Sequence, residues 1–154
     1  MNHEETLVID TTKKLLDTLG IVYSDVSVTS NVEERSVSLL VKGEDIGILI
    51  GFHGKNIEAV KTILSLMVNR ELGRENSVRI FLDVNDYSAK REEQLKAMIE
   101  NAVMMMESKQ LNLFSLPPMS PADRRRVHTI ANDMSLKTES EGDDRDRHVN
   151  ILKA

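Results

Sequence analysis

Two short segments of the sequence combine residue types that bind phosphate groups, and the first is a loop bracketed by glycines. Gly51-Phe52-His53-Gly54 is followed by Lys55. Glycines let a phosphate approach the main chain because no Cβ is in the way, and the N-terminus of a following helix adds N–H donors and positive potential. We therefore predict an anion-binding loop formed by Gly51, Phe52, His53, Gly54 and Lys55. The simpler alternative is that the two glycines only permit a tight turn between helices.

The second segment is the basic run Arg124-Arg125-Arg126-Val127-His128. Arg124 and His128 lie four positions apart, so they share one face of a helix, at the edge of its apolar side. A guanidinium forms two parallel hydrogen bonds with a phosphate, and an imidazole stacks or donates. Arg125 and Arg126 are expected to point toward solvent. A plain alternative remains, in which the arginines form a solvated helix face and His128 packs at the edge of a core.

The elements around the glycine loop are predicted in the order helix, strand, strand, helix, helix, strand. Asn2 and Glu5 predict a capping box at the start of the first helix, and Gly20 predicts its end. Alternating apolar residues predict the strands, and apolar residues at helical spacing predict the long helix after the loop. The apolar faces of the two long helices are expected to include Leu19 and Ile63. The predicted ranges are 4–19, 21–28, 36–42, a short apolar piece at 46–50, 55–72 and 78–84.

The second half of the sequence predicts the order helix, strand, helix, strand, strand. Ser120 and Pro121 are typical of an N-cap and a first helical position, with Asp123 as the acid at the third position. The predicted ranges are 87–109, 111–116, 121–134, 136–140 and 148–152. With a boundary next to residue 85, the sequence predicts an α+β protein of two domains, 1–84 and 85–154.

The first half resembles a KH domain of the type II form, with the order α-β-β-α-α-β. The resemblance is carried by Ile50–Ile57, which matches I-G-x-x-G-x-x-I between a short helix-like piece and a long amphipathic helix. It implies that the GxxG loop grips the backbone of about four single-stranded nucleotides. Related loops usually place Lys or Arg between the glycines, whereas this loop has Phe52 and His53. Lys55 is its fixed positive charge, so a weaker grip on phosphate is expected.

The second half resembles the R-three-H domain, a small α/β module with the order α-β-α-β-β that is associated with single-stranded nucleic acid. Besides the Arg-x-x-x-His pair, three segments match the family's helix entry and closing hairpin, namely 119–125, 138–142 and 147–149. The resemblance implies that Arg124, Arg125, His128 and Arg147 contact nucleic acid. The Arg124 and His128 pair could instead serve mainly to brace the hairpin.

A KH domain joined directly to an R-three-H domain is similar to the bacterial Jag family, also called KhpB, EloR or SpoIIIJ-associated proteins. The similarity spans residues 2–151. It implies binding of single-stranded RNA, with single-stranded DNA as another ligand, and post-transcriptional control that affects cell elongation and division. It also implies pairing with a small single-KH partner, KhpA. Members commonly carry an N-terminal Jag domain that this sequence is expected to lack, so functions tied to that domain are not transferred.

The overall charge does not favour a nucleic-acid binder, because the formal net charge is −5. Residues 1–84 carry 9 Lys/Arg and 13 Asp/Glu, and residues 85–154 carry 11 and 12. Affinity must therefore come from local basic patches rather than from the field of the whole protein, and it should be modest and salt-sensitive. The acidity keeps one alternative open, a protein-interaction adaptor that uses RNA-binding folds without strong RNA affinity.

Several functional classes find no support in the residue types. The sequence has no cysteine, so it offers neither a thiolate nucleophile nor a Cys-ligated zinc, and its histidines lack metal-ligand spacing. Neither GxSxG nor a Walker phosphate loop occurs. We therefore expect no enzyme activity, no catalytic residues, no cofactor and no metal. No stretch approaches the ~20 apolar residues of a membrane span, and the N-terminus lacks a signal-peptide layout, so a cytoplasmic location is expected.

Overall fold

Two compact units make up the structure, a computed structural model that describes residues 2–153. The chain divides between Ser88 and Ala89. Each unit combines helices with one three-stranded sheet, so the predicted α+β fold class is confirmed. Met1 and Ala154, the outermost residues of the two predicted domain ranges, lie outside the described residues. Within residues 2–153, no helix is both long enough and apolar enough to span a bilayer.

The first unit contains its main elements in the predicted order. They are α1 (His3–Thr18), β1 (Asp25–Asn31), β2 (Ser36–Lys42), α2 (Gly47–Ile50), α3 (Lys55–Leu72) and β3 (Arg79–Val84). Strand β2 lies in the centre of the sheet, antiparallel to β1 and parallel to β3. Helices α1 and α3 contact each other and the sheet, and they bury a shared core. Its most deeply buried side chains include Val8, Leu16, Val37, Leu39, Val41, Ile46, Leu64, Val68 and Val84.

The start of α1 is fixed by the predicted capping box and by a contact with the sheet. The Asn2 side chain accepts a hydrogen bond from Glu5 N at 2.8 Å, and Asn2 N donates to the Glu5 carboxylate at 3.0 Å. The same carboxylate accepts from the Ser30 hydroxyl at 2.6 Å. Because Ser30 belongs to β1, Glu5 both caps the helix and ties it to an edge strand of the sheet.

Three expectations for the first unit are wrong. Strand β1 begins at Asp25 rather than at residue 21, because Asp25 pairs with Lys42, the last residue of β2. Leu19 is 54% exposed because α1 ends before it. Ile63 is 47% exposed because the face of α3 that packs on the core carries its neighbour Leu64. Successive residues of a helix point in directions that differ by about 100°, so Ile63 lies outside that face.

The second unit also follows its predicted order. Its elements are α4 (Tyr87–Lys109, which begins just before the division), β4 (Leu113–Ser115), α5 (Pro121–Asp133), β5 (Lys137–Glu141) and β6 (His148–Leu152). Strand β6 lies in the centre and is antiparallel to both neighbours. The core between the helices and the sheet comprises Leu95, Ile99, Ala102, Met106, Leu116, Met119, Val127, Ile130, Ala131, Val149 and Ile151. Helix α4 and strand β6 have the predicted bounds, and the bounds of β4, α5 and β5 differ from the predictions by one or two residues.

A buried ion pair fixes the start of α5. The Ser120 hydroxyl caps the helix by accepting from Asp123 N at 3.2 Å, as predicted, but the Asp123 side chain is fully buried. Arg91 of α4 donates to its carboxylate from Nε at 3.1 Å and from Nη2 at 2.8 Å. Arg126 Nη1 lies 3.3 Å from the other oxygen. Arg126 is therefore half-buried and paired, and the expectation that it points to solvent is wrong.

Candidate nucleic-acid interface

The glycine loop is a single tight turn between α2 and α3 with an unusual backbone. Gly51 has φ 66° and ψ −174°, a region that is almost restricted to glycine. His53 and Gly54 follow with left-handed conformations, φ 53° and 77°. Gly54 is the N-cap of α3 and has no side chain that could satisfy the first turn. The Lys55 amide donates to Phe52 O, so the amide groups that follow Lys55 in the first turn of α3 are the ones with capacity for an anion.

The side chains of the loop present an aromatic surface and one cation. Phe52 is 74% exposed. Its ring meets the His53 ring edge-on, with the ring centroids 4.0 Å apart. Lys55 is exposed at the first position of α3. The loop therefore offers a stacking face for a base and main-chain donors for a phosphate, with little side-chain charge.

An open cleft of about 960 Å³ lies between α5 and the β5–β6 hairpin. We call it the arginine cleft. Four cationic residues line it, and Glu139 is the carboxylate among its lining residues. The cations are Arg124, Arg125, Lys137 and Arg147. All four sequence-predicted residues of this half are thus brought together, because Arg124, Arg125 and His128 lie on α5 and Arg147 directly precedes β6.

His128 uses both ring nitrogens to join α5 to β5. Nδ1 lies 2.7 Å from the Thr138 hydroxyl, and Nε2 lies 2.8 Å from the Ser140 hydroxyl. A neutral imidazole has one N–H and one lone pair, and each hydroxyl either donates or accepts, so both contacts are hydrogen bonds in either tautomer. His128 therefore connects the helix to two successive inward positions of the strand.

Arg124 also makes a hydrogen bond within the protein. Its Nη1 donates to the Met119 main-chain oxygen at 2.9 Å, across the start of α5. Arg125, in contrast, has an exposed side chain, as do Lys137 and Arg147. The cleft therefore combines two residues that bond within the protein with three exposed cations.

Several residues at these sites were not predicted from the sequence to take part in them. Lys137 lines the cleft because β5 lies beside α5. Its position next to Thr138, in the predicted hairpin, was the feature of the sequence that could have indicated this. At the glycine loop, Asn56 and Tyr87 pack against the two glycines, although neither residue type attracted attention in the sequence. The loop residues lie in the first unit and the cleft residues in the second.

The class of protein is a KH domain followed by an R-three-H domain, two domains of nucleic-acid-binding families. Residues 5–80 match the family model of the KhpA/KhpB KH domain, and residues 93–153 match that of the R-three-H domain. The chain is 32% identical to the RNA-binding protein KhpB of Clostridium symbiosum over 152 residues, which are 96% of this chain and 67% of the relative. It belongs to the KhpB family.

Two further relatives, both also named RNA-binding protein KhpB, extend the comparison. The protein of Lactiplantibacillus plantarum is 30% identical over 142 residues, which are 89% of this chain and 43% of the relative. The protein of Bacillus subtilis is 30% identical over 132 residues, which are 83% of this chain and 61% of the relative. The chain thus spans roughly half to two thirds of the length of these relatives. The exact domain boundary and the roles of the site residues remain predictions.

Proposed function

We propose that this chain binds single-stranded RNA, without catalysis, at the glycine loop and at the arginine cleft. The observation that carries the proposal is the concentration of four cationic residues around one open cleft in a protein of net charge −5. Such a local cluster attracts phosphates even where the whole-protein field does not. The relatives' shared name, RNA-binding protein, supports the same ligand.

The two sites would bind the strand through different kinds of contact. At the loop, main-chain amides hold phosphates while Phe52 stacks on an unpaired base, as aromatic side chains do in single-strand recognition. In the cleft, Arg125, Lys137 and Arg147 contact phosphates directly. Arg124 and His128 hold the cleft in shape, because Arg124 Nη1 and both ring nitrogens of His128 already bond within the protein. Binding is therefore tolerant of sequence and sensitive to salt.

Replacement of the exposed cations tests the cleft. Arg125→Ala and Lys137→Ala should each weaken binding of a fluorescent 12-nucleotide oligouridylate, measured by anisotropy. Each should also make the slope of log Kd against log salt shallower by about 0.7, the value for one lost contact with a single-stranded phosphate. Arg145→Ala is the matched control, since Arg145 is exposed but lies outside the cleft lining. Equal effects of all three replacements would show only a loss of general charge and would reject the cleft.

A second candidate function, docking of a protein partner, is favoured by an apolar stripe on α3. Ile63 is 47% exposed and Leu66 is 69% exposed, and residues three positions apart share one helix face. We propose this stripe as the surface for a small single-KH protein such as KhpA, because the matching KH model covers KhpA as well as KhpB. Leu66→Asp should abolish co-purification with KhpA, while Met104→Asp, which places the same charge on a 62% exposed apolar residue of α4 in the second unit, should not.

We propose that the cellular role of these activities is post-transcriptional control in the bacterial cytoplasm, with effects on cell elongation and division. This part of the proposal comes from the family resemblance. If it holds, cells in which Arg125→Ala and Leu66→Asp variants replace the wild type should differ from wild-type cells in length. Wild-type length with both variants would restrict the proposal to RNA binding itself.

A further inference from the structure

We propose that Asn56 and Tyr87 are positioning residues that hold the glycine loop in its phosphate-binding shape. The inference rests on the proposed function, since it says how that loop presents its donors. A loop with Lys or Arg between its glycines adds charge to its grip, whereas this loop carries Phe52 and His53 there. Its affinity must then depend more strongly on the orientation of its main-chain donors, and preorganised groups lose less entropy on binding.

Asn56 packs under the first glycine. A Cβ added to Gly51 would lie 2.4 Å from Asn56 Cγ, so the side chain occupies the space that any other residue at position 51 would need. Asn56 Nδ2 also donates to Ile48 O at 2.7 Å. Since Ile48 belongs to α2 and Asn56 to the first turn of α3, this one side chain joins the two helices directly behind the loop.

Tyr87 packs against the second glycine. A Cβ on Gly54 would lie 3.0 Å from Tyr87 Cε1 and 3.3 Å from its hydroxyl oxygen. Gly54 is buried, and the Tyr87 ring is half-buried against the core of the first unit. The ring thus lies directly against the α-carbon from which α3 begins.

The main chain that carries Tyr87 is itself held in place. Asn85 exchanges two hydrogen bonds with Gly43, at 3.1 and 2.8 Å. Asp83 accepts from both the main-chain N–H and the hydroxyl of Ser88, each at 3.1 Å. Asn85 and Asp86 both have positive φ, 51° and 56°. Such conformations persist where the surroundings impose them, and here they turn the chain after β3 so that Tyr87 reaches the loop.

Affinity for RNA separates positioning from general support of the fold. Tyr87→Ala and Asn56→Ala should each weaken binding of the 12-nucleotide oligouridylate by about tenfold, which corresponds to 1.4 kcal/mol. Tyr87→Phe should lose less affinity than Tyr87→Ala, because it keeps the ring against Gly54. Tyr23→Ala is the matched control, since Tyr23 is the other tyrosine and is half-buried against the same core. It should lower thermal stability and leave affinity within about twofold at a temperature where both proteins are folded.

Amide exchange tests the same claim without RNA. Gly54 N donates to Gly51 O at 3.4 Å, and Lys55 N donates to Phe52 O. Exchange of these two amides should be faster in Tyr87→Ala than in Tyr23→Ala. If the wild type binds no RNA, the proposed function fails. The positioning claim is overturned separately if the two amides exchange no faster in Tyr87→Ala than in Tyr23→Ala. Equal losses of affinity in Tyr87→Phe and Tyr87→Ala would also overturn it, since they would assign the effect to the hydroxyl.

A double-mutant cycle adds a direct test of the contact between Tyr87 and Gly54. Gly54→Ala should weaken binding strongly in the wild-type background, where the new methyl group meets the ring. The same substitution should cost less in the Tyr87→Ala background, because the two changes act on one contact. Additive losses would contradict the proposal.

Discussion

At the scale of single residues, the most informative finding is that a motif pair expected to face the ligand is bonded within the protein. His128 bonds to Thr138 and Ser140, and Arg124 bonds to Met119. A net contribution of about 0.5–1.5 kcal/mol is typical of one such hydrogen bond. His128 therefore joins β5 of the hairpin to α5, whereas Arg124 bonds to the segment that precedes α5. We propose that both residues mainly place the neighbouring cations.

Removal of His128 tests this assignment. His128→Ala leaves two half-buried hydroxyls without their partner and should lower the free energy of unfolding by about 1–3 kcal/mol. Urea denaturation followed by circular dichroism measures this loss. The slope of log Kd against log salt for oligouridylate should stay as in the wild type, since no phosphate contact is removed. A shallower slope with unchanged stability would instead make His128 a direct phosphate contact.

At the scale of elements, the sequence predicts those whose signals are local. Strand β2 and helix α3 have the predicted bounds, because β2 alternates apolar and polar residues and glycines flank α3. The start of β1 is displaced by four residues, since it depends on where β2 ends. The burial of Asp123 could not be predicted either, because its partner Arg91 lies 32 positions away.

At the candidate site, too, the sequence predicts what is local in the chain and not what depends on tertiary packing. The loop residues were predicted together because they are consecutive, and the arginines of α5 because they share one helix. Lys137 enters the cleft only through tertiary packing. Tyr87 reaches Gly54 only after the turn at Asn85 and Asp86. Sequence patterns thus identified each motif but not the side chains that surround it.

The anchoring of α1 to β1 leads to a pH-dependent prediction. The Ser30 hydroxyl, and then Asn2 N–H, lower the pKa of Glu5 below its ordinary value of 4.5 by bonding to the ionised carboxylate. A carboxyl group whose pKa is lower in the folded state than in the unfolded state stabilises the fold at pH values above its ordinary pKa. That stability is lost as the pH falls through the pKa of the folded state. Glu5→Gln should therefore reduce the loss of stability on acidification below pH 4.5.

Thermal unfolding at several pH values measures this effect. Glu4→Gln is the matched control, because Glu4 occupies the same first turn of α1 and so experiences a similar helix field. If both variants change the pH dependence equally, the effect belongs to the helix N-terminus rather than to the contact with Ser30.

At the scale of the whole molecule, charge distribution is the property that decides the function. The net charge of −5 opposes a uniform attraction for RNA, so binding must be local. The arginine cleft collects four cations, and the glycine loop supplies oriented main-chain donors with one lysine beside them. Few phosphate contacts imply modest affinity even at low salt, and a salt dependence whose slope is small because each contact adds only about 0.7 to it.

Capture of the phosphates of an unpaired strand by the glycine loop is tested most directly by one binding measurement. Fluorescence anisotropy of oligouridylate at low ionic strength should show binding to the wild type. The double replacement Phe52→Asp and His53→Asp should abolish binding at the loop, because two carboxylates repel phosphate, while the circular dichroism spectrum and the melting temperature stay close to those of the wild type. Unchanged affinity in that variant, or no binding by the wild type, would contradict the account.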